Sequence, residues 1–182
     1  MTQETIPSGK DARAAQADGD PSGRRKEAAP ATASPSGILP LRVNVTWSGA
    51  GTGCGEVRVA GLASPVPVGG ATELGGCGKG ANPEELLLAS IGACFVNTWA
   101  IFLQKLQLEY SDPAVGVDGQ LEKDPAGGYR MVRTRIRARV PASLLEKDRE
   151  KVEKTLALAE KYCIISKVAR QAMPLEVEIE PV

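Results

Sequence analysis

Residues 86–104, LLLASIGACFVNTWAIFLQ, run for 19 positions without a charge, and no other feature restricts the fold of this chain as strongly. Asn82 is a favourable N-cap just before the run, and Pro83 suits the first helical position. Glu84 and Glu85 place negative charge at the positive end of the helix. The length meets the crude requirement for a membrane span. Ser90, Asn97, Thr98 and Gln104 interrupt it, however, and Gly92 adds no apolar area. The rest of the chain reads as a sheet protein with no membrane partner, so a central helix buried in protein is expected. Such a helix needs cover on every side. One small sheet covers one side, and the same helix of a second chain is the natural cover for the other, which predicts a homodimer.

Outside that run the hydrophobic period is two. Leu39, Leu41, Val43, Val45 and Trp47 fall on one face, with Arg42, Asn44 and Thr46 opposite, as in a strand. Further strands are expected at EVRVAGL, PVPV and VGVDGQLEKD. In YRMVRTRIRARV, Val132, Thr134, Ile136, Ala138 and Val140 alternate with Arg133, Arg135, Arg137 and Arg139. In LEVEIEPV, Leu175, Val177 and Ile179 alternate with Glu176, Glu178 and Glu180. The complementary charges point to cross-strand pairing on a solvated face. Nucleic acid is not expected on the arginines, because no aromatic platforms accompany them. Between these two segments, PASLLEKDREKVEKTLALAEKYC reads as an amphipathic helix. Ser143 and Glu146 form a capping box, and Glu150 with Lys154 is a supporting pair four residues apart. The apolar face runs through Leu145, Val152, Leu156, Ala159 and Cys163. This order predicts an α+β fold, with antiparallel sheets wrapped around the buried central helix.

Residues 1–36 have no hydrophobic period and few large apolar side chains, so a disordered low-complexity tail is expected, followed by one domain over 37–182. The tail lacks the apolar core of a signal peptide, and a reducing, cytoplasmic setting is expected. Lys plus Arg and Asp plus Glu are 22 each, so no global field draws the chain to nucleic acid or an anionic membrane. There is no histidine. That removes the Ser-His-Asp triad and the Cys-His dyad, and it leaves no usual ligand set for structural zinc. No metal site is expected.

Chemistry then falls to the four cysteines, Cys54, Cys77, Cys94 and Cys163. Cys94 lies within the chargeless helix, and Cys163 near the end of the last helix, on its apolar stripe. Cys54 in GTGCGE and Cys77 in GGCGKG sit in glycine-rich stretches. Both read as incidental small residues, with a second redox thiol in a mobile loop as the alternative. GANPEELLLASIGACF, followed 69 residues later by CIIS at a helix end, resembles the OsmC/Ohr family of thiol peroxidases. That family shows N-P-E, a helix carrying A-C-F, and a second cysteine in C-P-x-S. The order of strands and helices also fits, over most of residues 39–181.

The resemblance implies an intertwined homodimer that reduces organic hydroperoxides without metal or bound organic cofactor. Cys94 would be the peroxidatic thiol and Cys163 the resolving thiol, with a dithiol of the lipoyl type as reductant. The chemistry is sound for these residues. A thiolate attacking a peroxide leaves a sulfenic acid, and a second thiol condenses with it to a disulfide. The two Cα atoms must then lie within roughly 7 Å. Glu84, the family's acidic residue, precedes Cys94 by ten positions, about 15 Å along a straight helix. It reaches a thiol only across an interface with an antiparallel partner helix.

Two positions depart from the family pattern. Cys94 is too deep in its helix for the N-terminal dipole to activate it, so it needs a cation. Where the family has an arginine before N-P-E, this chain has Thr52 or Leu74, leaving Arg58 and Lys79 as candidates. Ile164 replaces the proline after the resolving cysteine, so a kink there would have to be made differently. The rival reading keeps the dimeric fold as a module binding a hydrophobic small molecule, with sensing or structural cysteines.

Overall fold

The alternating segments become two three-stranded sheets in the computed structural model, which describes residues 37–182. β1 (Val43–Ser48), β2 (Cys54–Val59) and β3 (Val66–Gly69) form the first, antiparallel throughout. β4 (Ala114–Lys123), β5 (Tyr129–Val140) and β6 (Leu175–Pro181) form the second, in that order. α1 (Pro83–Lys105) joins the sheets, while α2 (Ala142–Tyr162) and α3 (Ile164–Ala172) lie between β5 and β6. The fold class is α+β. The tail expected over 1–36 lies outside the described residues.

One strand direction departs from expectation. β4 and β5 are an antiparallel hairpin, but β6 runs parallel to β5, starting with Leu175 opposite Thr134. The cause is the connection. Two helices cross between the strands and return the chain to the end where β5 began, as a parallel pair requires. The charge complementarity holds in this register. Arg135 Nε lies 3.1 Å from Glu178, Arg139 Nε lies 3.3 Å from Glu180, and Arg137 bridges Asp118 at 2.7 Å and Glu180 at 3.2 Å. The arginine stripe is thereby paired with carboxylates on its own sheet.

The opposite face of β5 presents Ile136, Ala138 and Val140, all fully buried, to the helices. Ile91, Phe95, Trp99 and Leu103, spaced four residues apart on α1, pack against them with Val152, Leu156 and Ala159 of α2. The Trp99 indole N–H donates to Thr155 Oγ1 at 2.9 Å, which satisfies both groups in the core. At Gly92, α1 passes so close to β4 that a Cβ would stand 2.9 Å from a Val117 methyl. Glycine is there to permit this approach.

α1 starts as expected. Asn82 Oδ1 accepts from the Glu85 N–H at 2.7 Å, and the Glu85 carboxylate accepts from the Asn82 N–H at 2.9 Å. It is not covered on every side within one chain, however. Ala89, Ser90, Ala93, Asn97 and Ile101 face outward, opposite the buried stripe. β1 is exposed along its whole length, with Val43, Val45 and Trp47 at 57%, 60% and 46% exposure.

The last helical segment differs in two ways. Ser143 does not cap α2, whose N-cap is Pro141 without a side-chain bond. Ser143 is carried past the cap because α2 starts immediately after Pro141. The ion pairs that form are Arg149 with Glu153 and Lys151 with Asp148. The helix also breaks at Cys163, whose ψ of 119° is extended, and α3 begins on the far side.

Candidate active site at a helix junction

Cys163 is the joint between two helices. Its N–H closes α2 by donating to the Ala159 carbonyl at 2.8 Å, and its carbonyl opens α3 by accepting from the Lys167 N–H at 3.2 Å. Its sulfur accepts from the Ser166 N–H at 3.4 Å, so it serves as the N-cap of α3. The break that a proline would favour is made with Ile164 in that place, by the extended backbone of Cys163 and this sulfur cap. The residue is fully buried.

Cys94 faces this junction from the third turn of α1. It is half-buried, and both cysteines are free thiols. Burial pushes the Cys94 thiol up. The Ile165 N–H, the Cys163 thiol, the Ile164 N–H and the Thr98 hydroxyl outweigh it, holding the pKa below the ordinary thiol value. Burial pushes the Cys163 thiol up as well, Ser166 relieves it only in part, and the hydrogen bond it gives to Cys94 raises it further. Cys94 is thus the more readily ionised of the two thiols.

The expected cation is replaced by backbone. Arg58 is exposed on β2 and paired with Glu56 at 2.5 Å, and within one chain neither it nor Lys79 is among the groups that shift Cys94. The donors are instead the first amides of α3, unpaired within the helix by the nature of a helix start. Ile164 matters here, since a proline would have no N–H to give. No residue pattern announces this helix start, because Cys163 is not among the usual N-cap residues and continuous helix was expected.

Three candidate residues therefore divide. Cys94 and Cys163 come together. Glu84 stays at the N-terminal end of the unbroken α1, ten residues before Cys94, and does not meet it within one chain. A groove of about 510 Å³ runs along the open face of α1, between Leu88, Gly92 and Val96 and the β4 residues Val115 and Val117.

Cys54 and Cys77 are not incidental. They form a disulfide with their Cα atoms 6.1 Å apart, tying the start of β2 to the glycine-rich loop before α1. No local pattern announces this, because the loop must fold back over β3 before the two meet.

Residues 76–178, more than half of the chain, match the family model described as OsmC-like protein. The chain belongs to the OsmC family. The match takes in Cys77, Glu84, Cys94 and Cys163 and leaves out β1–β3 with Cys54. Among relatives of this OsmC-family chain is the organic hydroperoxide resistance protein-like 1 of Staphylococcus epidermidis. The two are 30% identical over 105 residues, which is 58% of this chain and 73% of the relative. Its fold is shared by the organic hydroperoxide resistance protein OsmC of Legionella pneumophila, with a TM-score of 0.63, 20% identity and coverage of 79% and 99% of the two chains. The organic hydroperoxide resistance protein OhrB of Bacillus subtilis aligns with a TM-score of 0.57 and 21% identity, covering 77% of this chain and 98% of its own.

Proposed function

We propose that this OsmC-family protein is a cysteine-based peroxidase acting on organic hydroperoxides. The observation that carries the reading is the pair of free thiols brought together at the α2–α3 junction, with Cys94 the more readily ionised. The Cys94 thiolate attacks the outer oxygen of the hydroperoxide, and the O–O bond breaks. The alkoxide leaves, takes a proton and becomes the alcohol, while Cys94 becomes a sulfenic acid. Cys163 attacks that sulfur, water leaves, and a Cys94–Cys163 disulfide forms. A dithiol of the lipoyl type returns both thiols and closes to its own disulfide. The apolar surroundings of Cys94 favour alkyl or fatty-acid hydroperoxides over hydrogen peroxide. The names of the relatives, organic hydroperoxide resistance proteins, support this substrate class.

The site is complete only in a homodimer. The open face of α1 and the uncovered β1 call for a partner, and an antiparallel partner helix brings its own Glu84 toward Cys94, where it can hold a proton or orient the peroxide. The protein works in the cytoplasm, where a dithiol reductant is at hand.

The test is a peptide map after one equivalent of cumene hydroperoxide, on a Cys54→Ala/Cys77→Ala background. Loss of two hydrogens with a linked Cys94–Cys163 peptide is expected. Two free thiols after prolonged exposure would sink the reading. They would favour a module that binds a hydrophobic molecule in the α1 groove, and that module would hold an apolar probe equally well after Cys94→Ser.

A further inference from the structure

The proposed peroxide chemistry uses neither Cys54 nor Cys77. We propose that these two cysteines form a second redox centre, whose disulfide small dithiols open by thiol–disulfide exchange and whose state sets the order of the loop over residues 70–80.

Access is the first argument. Each cysteine stands in a Gly-Cys-Gly triplet, Gly53-Cys54-Gly55 and Gly76-Cys77-Gly78, so neither flanking residue has a side chain to shield the sulfur. Both cysteines are only half-buried, whereas Cys163 is fully enclosed. Exchange needs in-line attack on a sulfur, so such exposure separates a labile disulfide from an inert one.

The loop is built around the bonded sulfurs. A Cβ at Gly69 would stand 2.4 Å from the Cys77 sulfur, and one at Gly76 would stand 2.2 Å from the Gly70 backbone. Only glycine at both places lets the chain fold over the end of β3 and bring Cys77 to Cys54. Within the loop, the Gly76 N–H donates to the Ala71 carbonyl and the Gly78 N–H to the Gly70 carbonyl, at 2.8 and 3.1 Å. The Leu74 N–H to Ala71 and Gly75 N–H to Thr72 bonds, at 3.1 and 3.0 Å, are equally local, and none of the core cluster of the described residues lies before residue 91 to anchor the loop.

The consequence is confined by the geometry. The Gly69 N–H donates to the Ala81 carbonyl and the Ala81 N–H to the Pro67 carbonyl, both at 3.1 Å. These bonds close the loop at its base, and the Asn82–Glu85 capping box fixes α1 just beyond. Opening the disulfide therefore frees the loop and leaves the helix in place.

The exchange balances without another oxidant. A dithiol thiolate attacks one sulfur, the Cys54–Cys77 bond breaks and the other cysteine leaves as a thiolate. The second thiol of the reagent then closes its ring disulfide and releases the first cysteine. Two electrons and two protons have passed to the cysteines, and excess cyclic disulfide drives the same steps backwards.

The full-length protein is equilibrated without denaturant in mixtures of dithiothreitol and its oxidised form, quenched with N-ethylmaleimide and mapped by mass spectrometry. The maps follow Cys54–Cys77 and Cys94–Cys163 as separate peptides, so failure of one pair does not count against the other. The linked Cys54–Cys77 peptide should disappear as dithiothreitol rises and return as its oxidised form rises. Amide hydrogen exchange should then accelerate in 70–80 and stay unchanged across α1 and α2. A Cys54→Ala/Cys77→Ala variant should show the same fast loop with the same slow helices. A link absent under oxidising conditions, or one that resists excess dithiothreitol until denaturant is added, would overturn the proposal. So would accelerated exchange that spreads into α1 or α2, the mark of a staple for the whole fold.

Discussion

Cys94 and Cys163 carry the same chemical group, and their surroundings push them in opposite directions. Burial opposes ionisation of both, but only Cys94 receives amide donors strong enough to reverse it. The sign of the pH dependence follows. A thiol with a lowered pKa reaches its full thiolate population at lower pH than its neighbour with a raised one. Alkylation of Cys94 should therefore rise at lower pH than alkylation of Cys163, as read by mass spectrometry across pH. Ser166 sharpens the test. Its hydroxyl is buried with no partner beyond its influence on the Cys163 sulfur. Ser166→Ala should move the Cys163 profile to still higher pH and slow disulfide formation, with the fold retained, since the hydroxyl bonds to no other group. Equal profiles for the two thiols would refute the assignment of roles. That Cys94 and Cys163 belong together, the pair on which the proposed chemistry rests, was readable from the motif spacing. What activates Cys94 was not, because backbone amides leave no mark in a list of charged residues.

The first turn of α3 is where the chain departs most usefully from its family pattern. Position 164 is the first residue of the helix, a place that tolerates proline well. Ile164→Pro should thus leave thermal stability nearly unchanged while deleting one amide donor to Cys94. A lost hydrogen bond to a charged acceptor is worth about 1.5 kcal/mol, so the reaction with hydroperoxide at neutral pH should slow by roughly tenfold. Stopped-flow peroxide consumption measures it, and an unchanged rate would mean that the Ile164 amide does not stabilise the thiolate. The α1 N-cap and the six strands were readable because each depends on neighbours in sequence. The α3 start lay inside a pattern that looked like one amphipathic helix, and periodicity does not register a single extended residue.

One chain alone leaves an apolar helix face and a strand of valines and a tryptophan in water. Within the proposed dimer, Ile101→Glu tests the open face without touching the core, since this residue is exposed in the single chain. Each protomer buries an unpaired carboxylate at a cost on the order of 3 kcal/mol, so dimer affinity should fall by more than about 100-fold. Light scattering reads the assembly, and peroxide turnover should fall with it as the partner's Glu84 is lost. A wild-type protein that is monomeric and fully active would end the dimer proposal. By itself the sequence determined the six strands and the start of α1, the α+β class, the faces of the strands and the placing of Cys94 and Cys163 on helices. Each of these follows from periodicity or local capping, which neighbouring residues decide among themselves. Only the tertiary structure decided that β6 runs parallel to β5, that Cys54 meets Cys77, and that the α3 amides reach Cys94. Those contacts join residues far apart in the chain, and their partners are chosen by how the helices and the loop pack.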